Sequence, residues 1–172
     1  MSSDRLTLDP IDESDVAFVR TLYADPKVTE KLSRIQKPLT LDEARAFCVT
    51  PPADSVERRF IARLGGRPVG VGTIGIPIER SPAVTIGYSL ALPMWGQGLG
   101  KELAALLVDL AFGRFEAAEV RATTRDDNVA SMRVLEKIGF VVLESVKEID
   151  SRGEEQPVTR WVLPRASATN RP

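Results

Sequence analysis

The sequence predicts a mixed α/β (α+β) domain, a mostly antiparallel sheet of six to seven strands flanked by about four helices. Three observations support this. Short apolar runs suited to strands recur at residues 6–8, 60–62, 69–76, 84–90, 119–123, 140–149 and 158–163. Between them, residues 99–115 and 128–138 repeat their apolar positions at helical spacing. Turn-forming residues punctuate the pattern, notably Gly65-Gly66 and Ser151-Arg152-Gly153-Glu154-Glu155. A chain of 172 residues can bury one real core, so a single domain is expected over 1–164, followed by a small, polar, frayed tail over 165–172.

In chain order, Leu6-Thr7-Leu8 alternates like an edge strand. Residues 13–23 carry Val16, Phe18, Val19 and Leu22 at helical intervals. Thr40-Leu41-Asp42-Glu43 has the form of a capping box, which starts a helix at Leu41 that runs to about Cys48 and stops at Pro51-Pro52. The runs at 60–62 and 69–76 form a hairpin about Gly65-Gly66, a pair that tolerates positive φ. Gly70 and Gly72 leave one face of the second strand nearly bare, which suits a closely packed helix better than a ligand. After the strand at 84–90, Leu99, Leu103, Leu106, Leu107 and Leu110 mark the buried stripe of a long helix that lies on the sheet. A short strand at 119–123 precedes a helix whose Met132, Val134, Leu135 and Ile138 turn inward, and Gly139 falls at its left-handed C-cap position. The last two strands form a C-terminal hairpin, with Phe47 and Trp161 most simply in the core.

Composition narrows the function. With 43% apolar residues, 27% charged residues and a formal net charge of −1, the chain is an ordinary globular sequence and a poor match for nucleic acid. No apolar run approaches the roughly 18 residues of a membrane span, and Met1-Ser2-Ser3-Asp4-Arg5 lacks the apolar region of a secretory signal. The expectation is a cytoplasmic protein with no membrane or nucleic-acid partner. Single Cys48 cannot form an internal disulfide, and a chain without histidine has no Cys/His metal site and no Ser-His-Asp or Cys-His machinery. Proton transfer falls to carboxylates, hydroxyls, water or the substrate. Cys48 itself, with Ala44 and Phe47 at packing intervals, reads as a small core residue rather than a nucleophile.

The most informative stretch is Ala91-Leu92-Pro93-Met94-Trp95-Gly96-Gln97-Gly98-Leu99-Gly100-Lys101, alternate glycines between an extended run and a helix. Main-chain N–H groups in such a loop converge near the positive end of the helix, a geometry that binds phosphate. A P-loop needs glycine six residues before its lysine, where Trp95 stands, and hydroxyl after it, where Glu102 stands. The dinucleotide fingerprint needs a third glycine where Lys101 stands. Both fail. Lys101 in the first helical turn opposes the dipole by roughly 0.3–1 kcal/mol, so it is better explained beside a bound anion, although Glu102 softens the penalty. The plainer use of these glycines is a tight strand-to-helix turn.

A second segment, Asp127-Asn128-Val129-Ala130-Ser131-Met132-Arg133-Val134-Leu135-Glu136-Lys137-Ile138-Gly139-Phe140, completes a pattern. Together the two segments resemble the GNAT superfamily of acyl-CoA-dependent N-acyltransferases, whose loop reads (Gln/Arg)-x-x-Gly-x-(Gly/Ala) and whose helix reads Asn-x-x-(Ala/Ser)-x-x-x-(Tyr/Leu)-x-Lys-x-Gly-Phe. Trp95 departs from Gln/Arg, yet Trp-Gly-Gln-Gly, Ser131 and Leu135 are similar to the Rim-type branch that acetylates ribosomal-protein N-termini. The resemblance covers most of residues 60–163. It implies that main-chain amides of Gln97, Gly98, Leu99, Gly100 and Lys101 hold the pyrophosphate of acetyl-CoA. It also implies that the strands ending near Leu90 and beginning near Glu119 splay apart, with the pantetheine arm between them on the backbone of Ser89, Leu90, Ala91 and Leu92. Asn128 and Ser131 would face that arm and the sulfur, and their spacing puts them on one helix face. Asn128 is equally a natural N-cap and Ser131 a capping-region serine. Arg125 and Arg133 either reach the ADP phosphates or lie on a solvated surface.

In the superfamily an amine attacks the thioester directly, a main-chain N–H on the splayed strand stabilises the oxyanion, and an acid protonates the thiolate. Many members place a tyrosine acid where this chain has Leu135. The Rim-type branch uses a serine at the position of Ser131, which makes Ser131 the candidate acid. For the base, the resemblance points to an acid in the strand after Phe140, hence Glu148 or Asp150, which alternation puts on one face. Tyr88, on the cleft strand, is either a substrate contact or core packing. An α-amine, with pKa about 7.7–8.0, loses its proton more cheaply than a lysine near 10.4, by roughly 3 to 4 kcal/mol. A peptide or protein N-terminus or another small amine is therefore the favoured acceptor. Two alternatives stand beside it: a polyamine or aminoglycoside acetyltransferase whose acceptor side is lined by Asp25, Glu30, Asp42 and Glu43, and a non-catalytic acyl-CoA-binding module. Nothing in the sequence chooses between monomer and homodimer.

Overall fold

Among the described residues, seven strands, β1 (Leu6–Pro10), β2 (Ser55–Leu64), β3 (Arg67–Pro77), β4 (Ala83–Leu90), β5 (Glu119–Arg125), β6 (Val141–Ile149) and β7 (Glu155–Pro164), form one sheet in the order β1-β2-β3-β4-β5-β7-β6. The structure is a computed structural model that describes residues 3–32, 35, 37–49, 55–77, 83–150 and 153–168. The expected stop at Pro51-Pro52, Ser151-Arg152 of the last turn and residues 169–172 lie outside the described residues. Every neighbouring pair is antiparallel except β4 and β5, which are parallel because α4 (Leu99–Gly113) carries the chain across the sheet between them.

Strand alternation feeds two apolar layers. Phe60, Ala62, Ile74 and Ile86 face α4 and α5 (Val129–Lys137), where Leu99, Leu103, Leu107 and Leu135 are buried. Ile61 and Val71, in register with each other, face the opposite layer of α1 (Val16–Ala24) and α3 (Leu41–Val49), among Val19, Leu22, Ala44 and Cys48. The bare face at Gly70 and Gly72 is explained by packing, as expected. A Cβ on Gly72 would stand 2.9 Å from Leu107 Cδ2, and one on Gly70 would stand 2.5 Å from the Ser89 carbonyl oxygen. The glycines let α4 and β4 come that close.

Local signals did most of what the pattern predicts. Thr40 and Glu43 cap each other, Thr40 N–H to Glu43 Oε2 at 2.8 Å and Glu43 N–H to Thr40 Oγ1 at 3.2 Å. Gly65 and Gly66 turn the hairpin at φ 56° and 79°, and Gly139 ends α5 at φ 92°. Differences have physical causes. The helix expected over 13–23 opens as a 3-10 turn at Glu13–Asp15, because Asp12 caps Ser14 and buried Asp15 is drawn to Arg63, 2.7 Å away. A further short helix, α2 (Pro26–Thr29), follows α1, capped by Asp25 with Pro26 at its first position. Where a frayed tail is expected from Arg165, residues 165–168 form α6 (Arg165–Ala168), pinned by Arg165, which donates to the carbonyls of Ala117 at 2.8 Å and Phe112 at 2.7 Å and lies over the Phe112 ring. Trp161 is buried and donates its indole N–H to Thr124 Oγ1 at 2.8 Å.

Candidate functional site

The parallel pair at the middle of the sheet comes apart. β4 and β5 are in register at Ala83↔Glu119, Val84↔Val120 and Thr85↔Arg121, and the ladder ends there although β4 continues to Leu90 and β5 to Arg125. On its other side β4 stays paired with β3 up to Gly70↔Leu90. Ala91 gives its N–H to Val69 O at 2.9 Å, so ladder alternation turns the main-chain groups of Tyr88 and Leu90 toward the gap. Trp95 returns to this point, donating its indole N–H to the Leu90 carbonyl at 2.9 Å. That bond leaves the Leu90 N–H as the inward-facing donor near the mouth of the gap.

Beyond the gap lies the glycine loop. Gly96 and Gly98 have φ of 75° and 78°, the left-handed region that favours glycine, and Gly98 is the N-cap of α4 with no side chain to cap the helix. The amides of Leu99, Gly100 and Lys101 belong to the first turn, whose N–H groups have no intrahelical acceptors. The space in front of the two glycines is open. A Cβ on Gly96 would meet nothing within 4 Å, and one on Gly98 would come only within 3.6 Å of an Arg5 guanidinium nitrogen. Arg5 escapes local sequence reasoning because it lies 92 residues from the loop it touches, donating to Gln97 O at 3.1 Å. Glu102 holds it there: its carboxylate pairs with the Arg5 guanidinium at 2.8 Å and also accepts the N–H groups of Arg5 and Leu6 and the hydroxyl of Ser3. Burial works against the Glu102 charge, but these bonds outweigh it and hold the carboxyl below the usual range. Gln97 spends its side-chain amide on Pro93 O at 2.7 Å, and Lys101 is exposed.

On the far side of the gap, Asn128 caps α5, accepting the Ser131 N–H at 3.2 Å, and donates from Nδ2 to Lys31 O at 3.1 Å. The capping reading of Asn128 is thus realised, with a tether to the chain after α2 in addition. Ser131 Oγ lies 2.8 Å from the Tyr88 hydroxyl. Burial pushes the Tyr88 phenol up to about 12, against the lowering effect of that bond. Leu135 is fully buried and is part of the core. Arg125 is bonded to Asp127 at 3.1 Å and to Gln156, and Arg133 is exposed on α5.

The opposite face carries the remaining polar groups. Buried Tyr23 and Ser89 share a hydrogen bond at 3.0 Å, and burial pushes the Tyr23 phenol up to about 12. Glu148 sits on β6 against Arg160, which donates to it from Nε at 3.0 Å and Nη2 at 2.8 Å while Nη1 reaches Glu144 at 2.7 Å. Arg160 is in register with Thr123, so this cluster shares a face with the free stretch of β5. Asp150 is buried and caps the hairpin turn, accepting the Glu154 N–H at 3.0 Å. Of the acids expected on the acceptor side, Asp25 caps α2 and Glu43 is held by Thr40 and Lys37. Cys48 is buried, and burial pushes its thiol up to about 11, the mark of a core residue.

A parallel strand pair that parts halfway, with an uncapped helix N-terminus beyond the parting, is the arrangement expected of an acyl-CoA-dependent transferase. A sequence-family profile described as "Acetyltransferase (GNAT) domain" matches residues 5–141, and the chain belongs to that family. It is therefore an acetyl-CoA-dependent N-acetyltransferase. Among curated relatives it is 25% identical over 150 residues to the uncharacterized N-acetyltransferase YoaA of Bacillus subtilis, covering 81% of each chain. Its fold matches spermidine N-acetyltransferase from Vibrio cholerae, solved with CoA and spermine, at TM-score 0.85 and 19% identity over 98% of this chain and 100% of that one. It also matches AAC(6')-Ib, solved with ribostamycin and coenzyme A, at TM-score 0.83 and 23% identity over 97% of both chains. Among the described residues no helix is long and apolar enough to cross a membrane.

Proposed function

We propose that this enzyme acetylates an amine of low basicity, a peptide or protein N-terminal α-amine or a small primary amine, in the manner of the Rim-type branch. The reading is supported chiefly by the gap between β4 and β5 and by Ser131 standing beside it where a tyrosine acid is replaced by buried Leu135. Acetyl-CoA supplies an activated acyl carbon and a good thiolate leaving group. The amides from Gln97 to Lys101 bind its pyrophosphate, with the Arg5 guanidinium at the rim of the same loop. Main chain from Ser89 to Leu92 aligns the pantetheine arm, and the Leu90 N–H points at the developing oxyanion, a contribution worth several kcal/mol when preorganised. Ser131 gives a proton to sulfur. Of the two candidate carboxylates, Glu148 lies on the face that carries Thr123, bonded to Arg160, and takes the amine's proton through water, whereas Asp150 maintains the turn that shapes the hairpin.

A polyamine or aminoglycoside acceptor is the second reading, supported by the two solved structures of similar fold and by Glu144 and Glu148 on the acceptor face. Thiol release from acetyl-CoA with N-terminal peptides, polyamines and aminoglycosides, with acetylated products identified by mass spectrometry, tests both. Preference for peptides supports the first reading. Preference for polycations supports the second, and tight CoA binding without turnover of any amine supports a non-catalytic module.

A further inference from the structure

Tyr88 and Ser131 are 43 residues apart and belong to β4, which borders the gap, and to α5, which follows β5 on its other side. Tyr88 lies on the α4–α5 side of the sheet, packed against that core and only partly exposed, as is Ser131. Their hydroxyl oxygens are 2.8 Å apart, and the Tyr88 hydroxyl also stands 3.5 Å from the Ser131 carbonyl oxygen. Among the described residues, both acceptors within reach of the phenol proton belong to Ser131. Either hydroxyl can donate in this pair, and the phenol is the stronger donor of the two, which favours a bond that runs from tyrosine to serine and leaves the serine's own proton unused by Tyr88.

We infer that Tyr88 is a positioning residue for acyl transfer: by donating to Ser131 Oγ it frees the Ser131 proton for the leaving sulfur and does from β4 what a tyrosine at position 135 would do from the helix. This rests on the proposal that Ser131 is the proton donor. The amine nitrogen bonds to the acyl carbon and the C–S bond breaks with its electron pair on sulfur. Ser131's proton passes to sulfur and Tyr88's proton to Ser131 Oγ. The phenolate then takes a proton from solvent, to which the acceptor ammonium has given one up. A serine acting alone would be left as an alkoxide, a far stronger base than the phenolate on which this chain of bonds ends. Hydrogen bonds in series polarise one another, so the tyrosine strengthens the serine as a donor even before any proton moves.

The first test needs no acceptor. Coenzyme A bound to wild type, Tyr88→Phe and Ser131→Ala is titrated by the ultraviolet absorbance of its thiolate, against a free thiol that ionises near pH 8.5. Bound to wild type, the thiol should ionise about one pH unit lower, because donors to the charged form favour it. Tyr88→Phe should remove about half of that shift and Ser131→Ala all of it, with CoA affinity by calorimetry kept within about twofold. In turnover, Tyr88→Phe should lower kcat about tenfold without changing KM for acetyl-CoA, and the double variant should be no slower than Ser131→Ala, the mark of residues acting as one unit. Wild-type ionisation and kcat in Tyr88→Phe overturn the inference, as do effects of the two substitutions that multiply. Ser131→Ala behaving as wild type in both measurements overturns the serine's part and Tyr88's with it. A lowered thiol ionisation that depends on Tyr88, without turnover of any amine, leaves the chain of bonds to sulfur in place but overturns its part in acyl transfer together with the proposed acceptors.

Discussion

Arg5 and Glu102, 97 residues apart in sequence, pair at the head of α4, with Nε at 2.9 Å and Nη2 at 2.8 Å both on Oε2. The pair ties the first strand to the loop proposed to bind phosphate, because the same guanidinium holds Gln97 O. An exposed pair of this kind is worth at most about 1 kcal/mol to folding. Arg5→Ala should therefore barely change the unfolding midpoint but weaken CoA about three- to tenfold, with a shallower salt dependence, in calorimetric titrations at two ionic strengths. Equal CoA affinity in the variant would show that Arg5 serves the fold alone.

Glu102 also sets a pH dependence. Its carboxyl is held below its ordinary value in the folded state, so its stabilising contribution is present above the unfolded pKa of about 4.3 and is lost as pH falls through the folded value. Urea unfolding curves of wild type and Glu102→Gln should differ at neutral pH and converge in acid. A gap that stays constant to about pH 3 would contradict this sign.

Gly70 and Gly75 lie on the same strand but differ in surroundings. A Cβ on Gly70 would meet the Ser89 carbonyl oxygen at 2.5 Å and Leu90 Cδ2 at 2.6 Å, whereas the nearest atom to one on Gly75 is 3.8 Å away. Gly70→Ala should destabilise by about 1–3 kcal/mol and displace the cleft strand, lowering kcat as well, while Gly75→Ala should be neutral or slightly stabilising. Thermal unfolding and steady-state rates of the two variants make the comparison.

Trp95 is 41% exposed and bonded to Leu90 at the edge of the gap, while Trp161 is buried. In a Trp161→Phe background, adding CoA should change the fluorescence of Trp95. Trp95→Phe removes the indole donor from the Leu90 carbonyl and should cost about 1 kcal/mol of stability and weaken CoA several-fold.

Cys48 gives a chemical check on the core. With its thiol pushed up to about 11, only about one molecule in a thousand carries a thiolate at pH 8. Iodoacetamide should spare the native protein under those conditions and label it after unfolding in urea. Rapid labelling of the folded enzyme would place the thiol elsewhere.

Features written in consecutive residues were legible in the sequence. The Thr40–Glu43 capping box, the Gly65-Gly66 turn, the leucine stripe of α4 and the left-handed glycine at 139 each depend on local backbone preferences, and each is present. The start of β2 was not legible, because Glu57-Arg58-Arg59 looks like surface. In the fold Glu57 pairs with Arg59 at 2.6 Å, and the Arg59 guanidinium stacks 4.2 Å from the centre of the Phe47 ring, so the charges are satisfied beneath α3. Spacing on α5 placed Ser131 beside Asn128, but nothing in it announces that Tyr88 meets that serine, or that Tyr23 meets Ser89. Such contacts are made by the packing of whole elements, and residues on separate elements leave no periodic trace.

The sheet is, in effect, two panels joined along three rungs at Ala83, Val84 and Thr85, with the rest of the seam open. Any extended molecule that lies along the seam supplies the missing rungs, so occupancy and folding share one free energy. At a hundredfold excess over Kd that coupling reaches about 2.7 kcal/mol. The resistance of this enzyme to heat and proteolysis should accordingly rise and fall with the supply of its own acyl donor.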